Sequence, residues 1–178
     1  MRSPMTDVDT ATTRSAAIVD RLRAGGVGLA AYLPDSWLSP LIGEVVADPS
    51  ILDVRVTRED DAVAIAGGSA LMGLRSAVLC QNAGVLLSAN VLAAFAHHHE
   101  LPLVVVAAAR GGAEDGFYYQ MYKGQVTAGV AAAAGLTVHH VDGPDDDWLF
   151  EKASEQAWLL RRPVVLLCSR RALLGEPV

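Results

Sequence analysis

The sequence predicts a doubly wound α/β domain: a mainly parallel, six-stranded sheet with helices on both faces. Three observations predict it. Short β-rich runs alternate with longer helical patterns along the 178 residues, the order that repeated βαβ units produce. Several runs, such as Leu103-Val104-Val105-Val106, are apolar without alternation, as strands covered on both faces must be. Polar clusters at Pro34-Asp35-Ser36, Gln81-Asn82 and Arg110-Gly111 follow such runs, at the carboxyl edge where sheets of this class collect ligands.

Residues 1–10 are polar and lack an apolar core segment, so a flexible N-terminal tail is expected ahead of a single domain over 11–178. The first helix is expected near Thr12–Arg23 and the first strand near Val27–Leu33. Gly26-Val27-Gly28-Leu29-Ala30-Ala31 satisfies G-x-G-x-x-A. However, its glycines precede the strand instead of following it, so no helix N-terminus is offered to a pyrophosphate. Pro34-Asp35-Ser36-Trp37 then opens a helix near Ser36–Val46, with Asp35 or Ser36 at its N-cap and within reach of a substrate.

The second strand, near Val54–Thr57, turns into a helix near Glu59–Leu74. Thr57 is placed to cap it with Asp60, and Glu59, Asp60 and Asp61 suit the positive end of the helix dipole. Capping alone accounts for these acids. What points further is the face following Glu59: Ala62, Ala66, Gly67 and Ser69 are small enough for another surface to approach closely.

A third strand near Ala77–Gln81 ends on the polar pair Gln81-Asn82, and a helix near Leu86–His98 closes in three histidines. Adjacent helical positions point in different directions, so His97, His98 and His99 suit the negative helix end better than a shared metal. The strand Leu103–Ala108 leads into the long connection Arg110-Gly111-Gly112-Ala113-Glu114-Asp115-Gly116. Tyr118, Tyr119, Gln120, Tyr122 and Lys123 come next, on a helix near Tyr119–Ala133. A strand near Thr137–Val141, a helix near Asp146–Leu160 and a strand near Val164–Cys168 complete the chain. His139 and His140 alternate across their strand without Cys or carboxylate at metal spacing, so no metal site is proposed.

Composition narrows the function classes. A hydrophobic content of 52% suffices for the core of one domain. The net charge of −6, with no basic run, argues against nucleic acid or an acidic membrane surface as partner. Cys80 and Cys168 each sit inside an apolar run, which argues against a disulfide framework and for a reducing compartment. No apolar stretch reaches the ~20 residues that span a bilayer, so a cytoplasmic protein is expected.

Taken in order, several segments resemble one family: Pro34-Asp35-Ser36, Arg58-Glu59-x-x-Ala62-Val63-Ala64-Ile65-Ala66-x-Gly68, Gln81-Asn82-x-Gly84 with Asn90 and Leu92, Leu101-Pro102-Leu103, Arg110-Gly111 and Gln120-x-x-x-Gly124. They resemble the pyrimidine-binding half of thiamine-diphosphate-dependent 2-oxo acid decarboxylases, in particular the alpha subunit of sulfopyruvate decarboxylase and phosphonopyruvate decarboxylase. The resemblance covers roughly residues 15–172. It implies that Glu59 hydrogen-bonds N1′ of the aminopyrimidine and so promotes loss of the thiazolium C2 proton, after which the ring takes up the electrons released as carbon dioxide leaves. It places Gln81, Asn82, Gly84 and Gln120 at the cofactor, and Asp35, Ser36, Arg58 and Arg110 at the substrate, with Asp35 and Ser36 reaching it across a dimer edge. Lys123 is a further cation for an anionic substrate. Where the family usually continues Gln-Asn-Ser-Gly with Leu-Gly-Asn, this chain has Ala83-Gly84-Val85-Leu86-Leu87, a more apolar loop.

The resemblance also implies a missing half. The family holds the diphosphate and its Mg through a Gly-Asp-Gly segment and a later Asn on a separate domain. This sequence contains no Gly-Asp-Gly, and its only asparagines are Asn82 and Asn90. A beta subunit carrying that segment is therefore expected, in an α2β2 or larger assembly. The alternatives are a non-catalytic structural subunit, in which Val85-Leu86-Leu87 closes the pocket, and a carboligase using the same chemistry.

Overall fold

Strands β1 (Val27–Tyr32), β2 (Leu52–Arg55), β3 (Arg75–Gln81), β4 (Val104–Ala108), β5 (Thr137–Val141) and β6 (Val164–Cys168) form one sheet in the order β2-β1-β3-β4-β6-β5. Every neighbouring pair is parallel in the computed structural model. The structure describes residues 4–113 and 115–175. Residues 1–3 of the expected tail and Glu114 lie outside them, as do residues 176–178. The chain leaves β1 toward β2 and β3 toward β4, in opposite directions along the sheet. The border between the carboxyl ends of β1 and β3 is therefore a topological switch point, where a crevice opens.

Both faces of the sheet are covered, which is why β4 and β6 are apolar throughout and fully buried. Leu79, Val106, Val164 and Leu166 face α1 (Pro4–Ala24), α2 (Ser39–Ala47), α7 (Trp148–Leu160) and α8 (Arg170–Leu174), with Ile18, Leu41, Phe150 and Leu173 among the packed side chains. On the other face Val78, Cys80, Val105 and Leu167 pack with α3 (Glu59–Leu71), α4 (Asn82–Leu87) and α6 (Tyr118–Ala133) through Ala62, Ala66, Val85 and Ala131. Burying the Val, Leu, Ile and Phe side chains among these contributes roughly 1.5–3 kcal/mol each. Cys80 and Cys168 are buried and unpaired with one another, and burial pushes both thiols up, away from reactivity.

Several boundaries differ from the sequence reading, each for a local reason. Residues 4–10, expected as tail, belong to α1: no helix breaker stands between Pro4 and Gly25, and proline suits a first turn. Helix α1 is pinned by buried Arg14, which pairs with Asp147 and donates to the Ala172 carbonyl at 2.6 Å. Helix α2 begins at Ser39 and not Ser36, because Pro40 fits only the opening turn. Strand β2 runs two residues earlier than expected, with Leu29 opposite Leu52 and Tyr32 opposite Arg55. Helix α3 stops at Leu71, since Gly73 at φ +77° turns the chain into β3, which starts at Arg75 instead of Ala77. Helix α4 starts at Asn82, immediately after β3. It breaks at Ser88 and continues through the short α5 (Ala89–Val91) into a π turn over Leu92–His97. Helix α8 has no counterpart in the sequence reading; the Ser169 hydroxyl caps it by accepting from the Ala172 amide at 3.0 Å.

Candidate active site

The carboxyl ends of β1, β3 and β4 converge on one buried polar network. Asp35 follows β1; its Oδ1 accepts from the Trp37 amide at 2.9 Å, and its Oδ2 accepts from the Gln81 side-chain amide at 2.9 Å. Arg110, just past β4, donates to the same Asp35 Oδ2 at 3.2 Å and to the Ser36 hydroxyl at 3.3 Å. It also makes a two-pronged pair with Asp115, at 2.8 and 3.1 Å, and its guanidinium lies 4.4 Å from the Trp37 ring centre. The side chains of Arg110, Asp35 and Asp115 are 5%, 6% and 1% exposed, so one buried cation is shared between two carboxylates out of water. The Arg110 guanidinium holds the Asp115 carboxyl below the ordinary carboxylate range, and Asp115 raises Arg110 in return. Sequence reasoning put Asp35, Ser36 and Arg110 at the substrate. The structure joins them to each other first, with Asp115 as the partner the sequence reading left without a role.

Asn82 opens α4 and is 1% exposed. Its amide nitrogen donates to the Arg110 carbonyl at 2.8 Å, which fixes the orientation of the side chain and leaves Oδ1 buried without a partner. It also borders a cavity of about 320 Å³ lined by Gly111, Gly124, Thr127 and His140 among others. Gln120, 4% exposed, sits in the first turn of α6 and accepts from the Lys123 ammonium at 3.1 Å. Its carbonyl backs directly onto Gly111, where a β-carbon would lie only 2.2 Å from that oxygen. Gly111 at φ +90° is thus required both by conformation and by space, a role the sequence did not display.

Glu59 is the first residue of α3, at the positive end of a 13-residue helix. Its side chain lies against Gly84 of α4, so closely that a β-carbon at Gly84 would come within 2.5 Å of Glu59 Cγ. Asn82 and Gly84 therefore link the glutamate to the Asp35–Arg110 network through one short helix. Two expectations for this segment are corrected. Thr57 does not cap α3; the N-cap position is Arg58, whose guanidinium instead pairs with Asp60 at 2.8 Å on the exposed surface. Arg58 thereby stands outside the buried network. The small-residue face also turns inward: Ala62 and Ala66 are fully buried in this chain's own core, and Gly67 packs on the Phe95 ring. Those small residues let this chain's own π turn and sheet approach α3 closely.

No family model matches the chain. The sulfopyruvate decarboxylase alpha subunit of Methanothermobacter thermautotrophicus is 34% identical over 89 residues, 50% of this chain and 54% of that subunit. Its counterpart in Methanocaldococcus jannaschii is 25% identical over 154 residues, 86% of this chain and 91% of that one. The phosphonopyruvate decarboxylase of Streptomyces viridochromogenes is 36% identical over 88 residues, 49% of this chain but 22% of that protein. The curated relatives are sulfopyruvate and phosphonopyruvate decarboxylases. The match thus spans about half of the Methanothermobacter alpha subunit and a smaller share of the phosphonopyruvate enzyme. Among solved structures, a 2-oxoglutarate:ferredoxin oxidoreductase from Magnetococcus marinus superposes with a TM-score of 0.72 over 90% of this chain and 29% of its own, at 18% identity; it shares the fold. Among the described residues no helix is long and apolar enough to cross a membrane, and no three His, Cys, Asp or Glu are grouped to hold a metal ion.

Proposed function

We propose that the chain is the pyrimidine-binding alpha subunit of a two-subunit, thiamine-diphosphate-dependent decarboxylase of small 2-oxo acids such as sulfopyruvate or phosphonopyruvate. The observation that supports it most is the Glu59 side chain seated on Gly84, with the unpartnered Asn82 Oδ1 on the same short helix at the sheet's switch point. These groups suit an aminopyrimidine. A carboxyl at a helix N-terminus faces a wall without a side chain, and a buried acceptor lacks a donor such as a ring amino group.

Glu59 would hold a proton at N1′ of the pyrimidine, and Asn82 would accept from its amino group. Gln81 is fixed by Asp35 and Gln120 by Lys123, so both present set side chains to cofactor and substrate. Thiamine diphosphate, when bound, supplies the electron sink that decarboxylation of a 2-oxo acid requires. The diphosphate and its Mg would be held by a beta subunit carrying a Gly-Asp-Gly segment, absent from this sequence, in an α2β2 or larger assembly. That arrangement belongs in a cytoplasmic, reducing environment.

Val85 packs into this chain's own core while Leu86 is partly buried and Leu87 half exposed, and the core packing of Val85 favours an open crevice over the structural-subunit reading in which Val85-Leu86-Leu87 closes it. The test is carbon dioxide release from 2-oxo acids by the chain mixed with a Gly-Asp-Gly partner. E59Q, which removes the transferable proton at matched size, is expected to cut the rate about 10²- to 10⁴-fold. Undiminished release by E59Q would refute the role of Glu59. Detection of a coupled product in place of the free aldehyde would identify a carboligase.

A further inference from the structure

A substrate with a second oxyanion, sulfonate or phosphonate, needs a cation whose charge is still available. Arg110 does not have one to give. Four of its five N–H donors are committed to Asp115, Asp35 and Ser36, and releasing them would leave the Asp115 carboxylate buried without its counter-charge. Arg58 is paired with Asp60 on the exposed shoulder of α3.

Lys123 differs from both. Among the described residues it makes no ion pair, and its partners are neutral: the Gln120 amide oxygen at 3.1 Å and the Tyr119 ring, 5.6 Å from the ammonium. An ammonium has three donors, so two remain after Gln120 is served. The side chain is half-buried on the second turn of α6, where contact with an anion is strengthened relative to bulk water. A run of ring contacts ties it to the network: Lys123 on Tyr119, Tyr119 at 5.5 Å from Phe117, and Phe117 at 5.8 Å from the Arg110 guanidinium. Gln120 in turn is locked against Gly111, beside Arg110.

We infer that Lys123 is the specificity-determining residue of this chain, reading the distal sulfonate or phosphonate of a 2-oxo acid while Arg110 serves as a fixed internal cation. The inference rests on the decarboxylase reading above. The ammonium keeps its bond to Gln120 and donates its two free hydrogens to substrate oxygens, and the Tyr119 ring supports the charge while the site is empty.

The test uses the full chain assembled with its Gly-Asp-Gly partner. K123M keeps the stem and removes the charge; K123R restores a charge. The ratio of kcat/KM for sulfopyruvate over pyruvate, and for phosphonopyruvate over pyruvate, is expected to fall about 10- to 100-fold in K123M and to recover largely in K123R. Calorimetric binding of sulfoacetate, an unreactive probe with the same distal group, should weaken in parallel. Ratios unchanged in K123M, with sulfoacetate bound as before, would overturn the assignment. Should the wild-type assembly decarboxylate no 2-oxo acid, the decarboxylase reading falls. Sulfoacetate binding that K123M leaves intact would then overturn Lys123 as an anion contact independently.

Discussion

Arg110 and Asp115 are the residues on which this edge of the molecule depends. Both are almost wholly buried: removing Arg110 strands the Asp35 and Asp115 carboxylates without a counter-charge, which costs about 3–5 kcal/mol, whereas removing Asp115 leaves Arg110 still paired with Asp35. R110M should lower the unfolding free energy by that amount and D115N by less, while the double variant R110M/D115L should remain destabilised because the Asp35 carboxylate is still buried without its cation. The dependence on pH follows from the depressed carboxyl of Asp115. Its contribution is complete above the unfolded-state value of about 3.9 and disappears as pH falls through the lower folded value. The stability gap between wild type and D115N should therefore narrow on going from pH 7 to pH 3, as measured by urea denaturation. A constant gap would show that Asp115 titrates alike in the folded and unfolded chain. The sequence revealed Arg110 but not its condition: an arginine after a strand looks the same whether free for substrate or saturated by a carboxylate five residues on.

Elements make their contribution here through close backbone approach. At Gly84 an added β-carbon meets Glu59 Cγ at 2.5 Å and Cβ at 3.0 Å; a rotamer change moves Cγ but Cβ moves only with α3, so G84A should displace the glutamate and lower Tm as well. Activity of the proposed assembly should drop more than the loss of stability accounts for, and full activity in G84A at a temperature where it is folded would show that the contact is incidental. At Gly111 the obstacle is the backbone oxygen of Gln120 and the conformation is left-handed, so G111A has no such escape. At least about 2 kcal/mol is expected from strain. That lowers Tm by roughly 4–8 °C for a chain of this length, read by calorimetry. The central strands were legible because β4 and β6, covered on both faces, carry no polar interruption. Helix starts were less so. Pro40 delays α2, and α4 follows β3 with no intervening loop, placing Asn82 on a helix where the sequence suggested a connection.

At the scale of the molecule, the doubly wound sheet accounts for where the polar residues gather, since a switch point between β1 and β3 brings residues from distant parts of the chain to one crevice. That much followed from strand order. The pairing of charges within the crevice did not, because it depends on the path of the connection from Arg110 to Phe117. In the proposed assembly a second subunit supplies the Gly-Asp-Gly segment that this sequence does not contain, and the site is shared. The measurement that tests this most directly is calorimetric titration of thiamine diphosphate with magnesium into three samples: this chain, its Gly-Asp-Gly partner, and the two together. Tight binding in the mixture alone, weakened by E59Q, is the predicted result. Binding by the partner alone, unaffected by this chain or by Glu59, would contradict the account and leave the chain without a part in holding the cofactor.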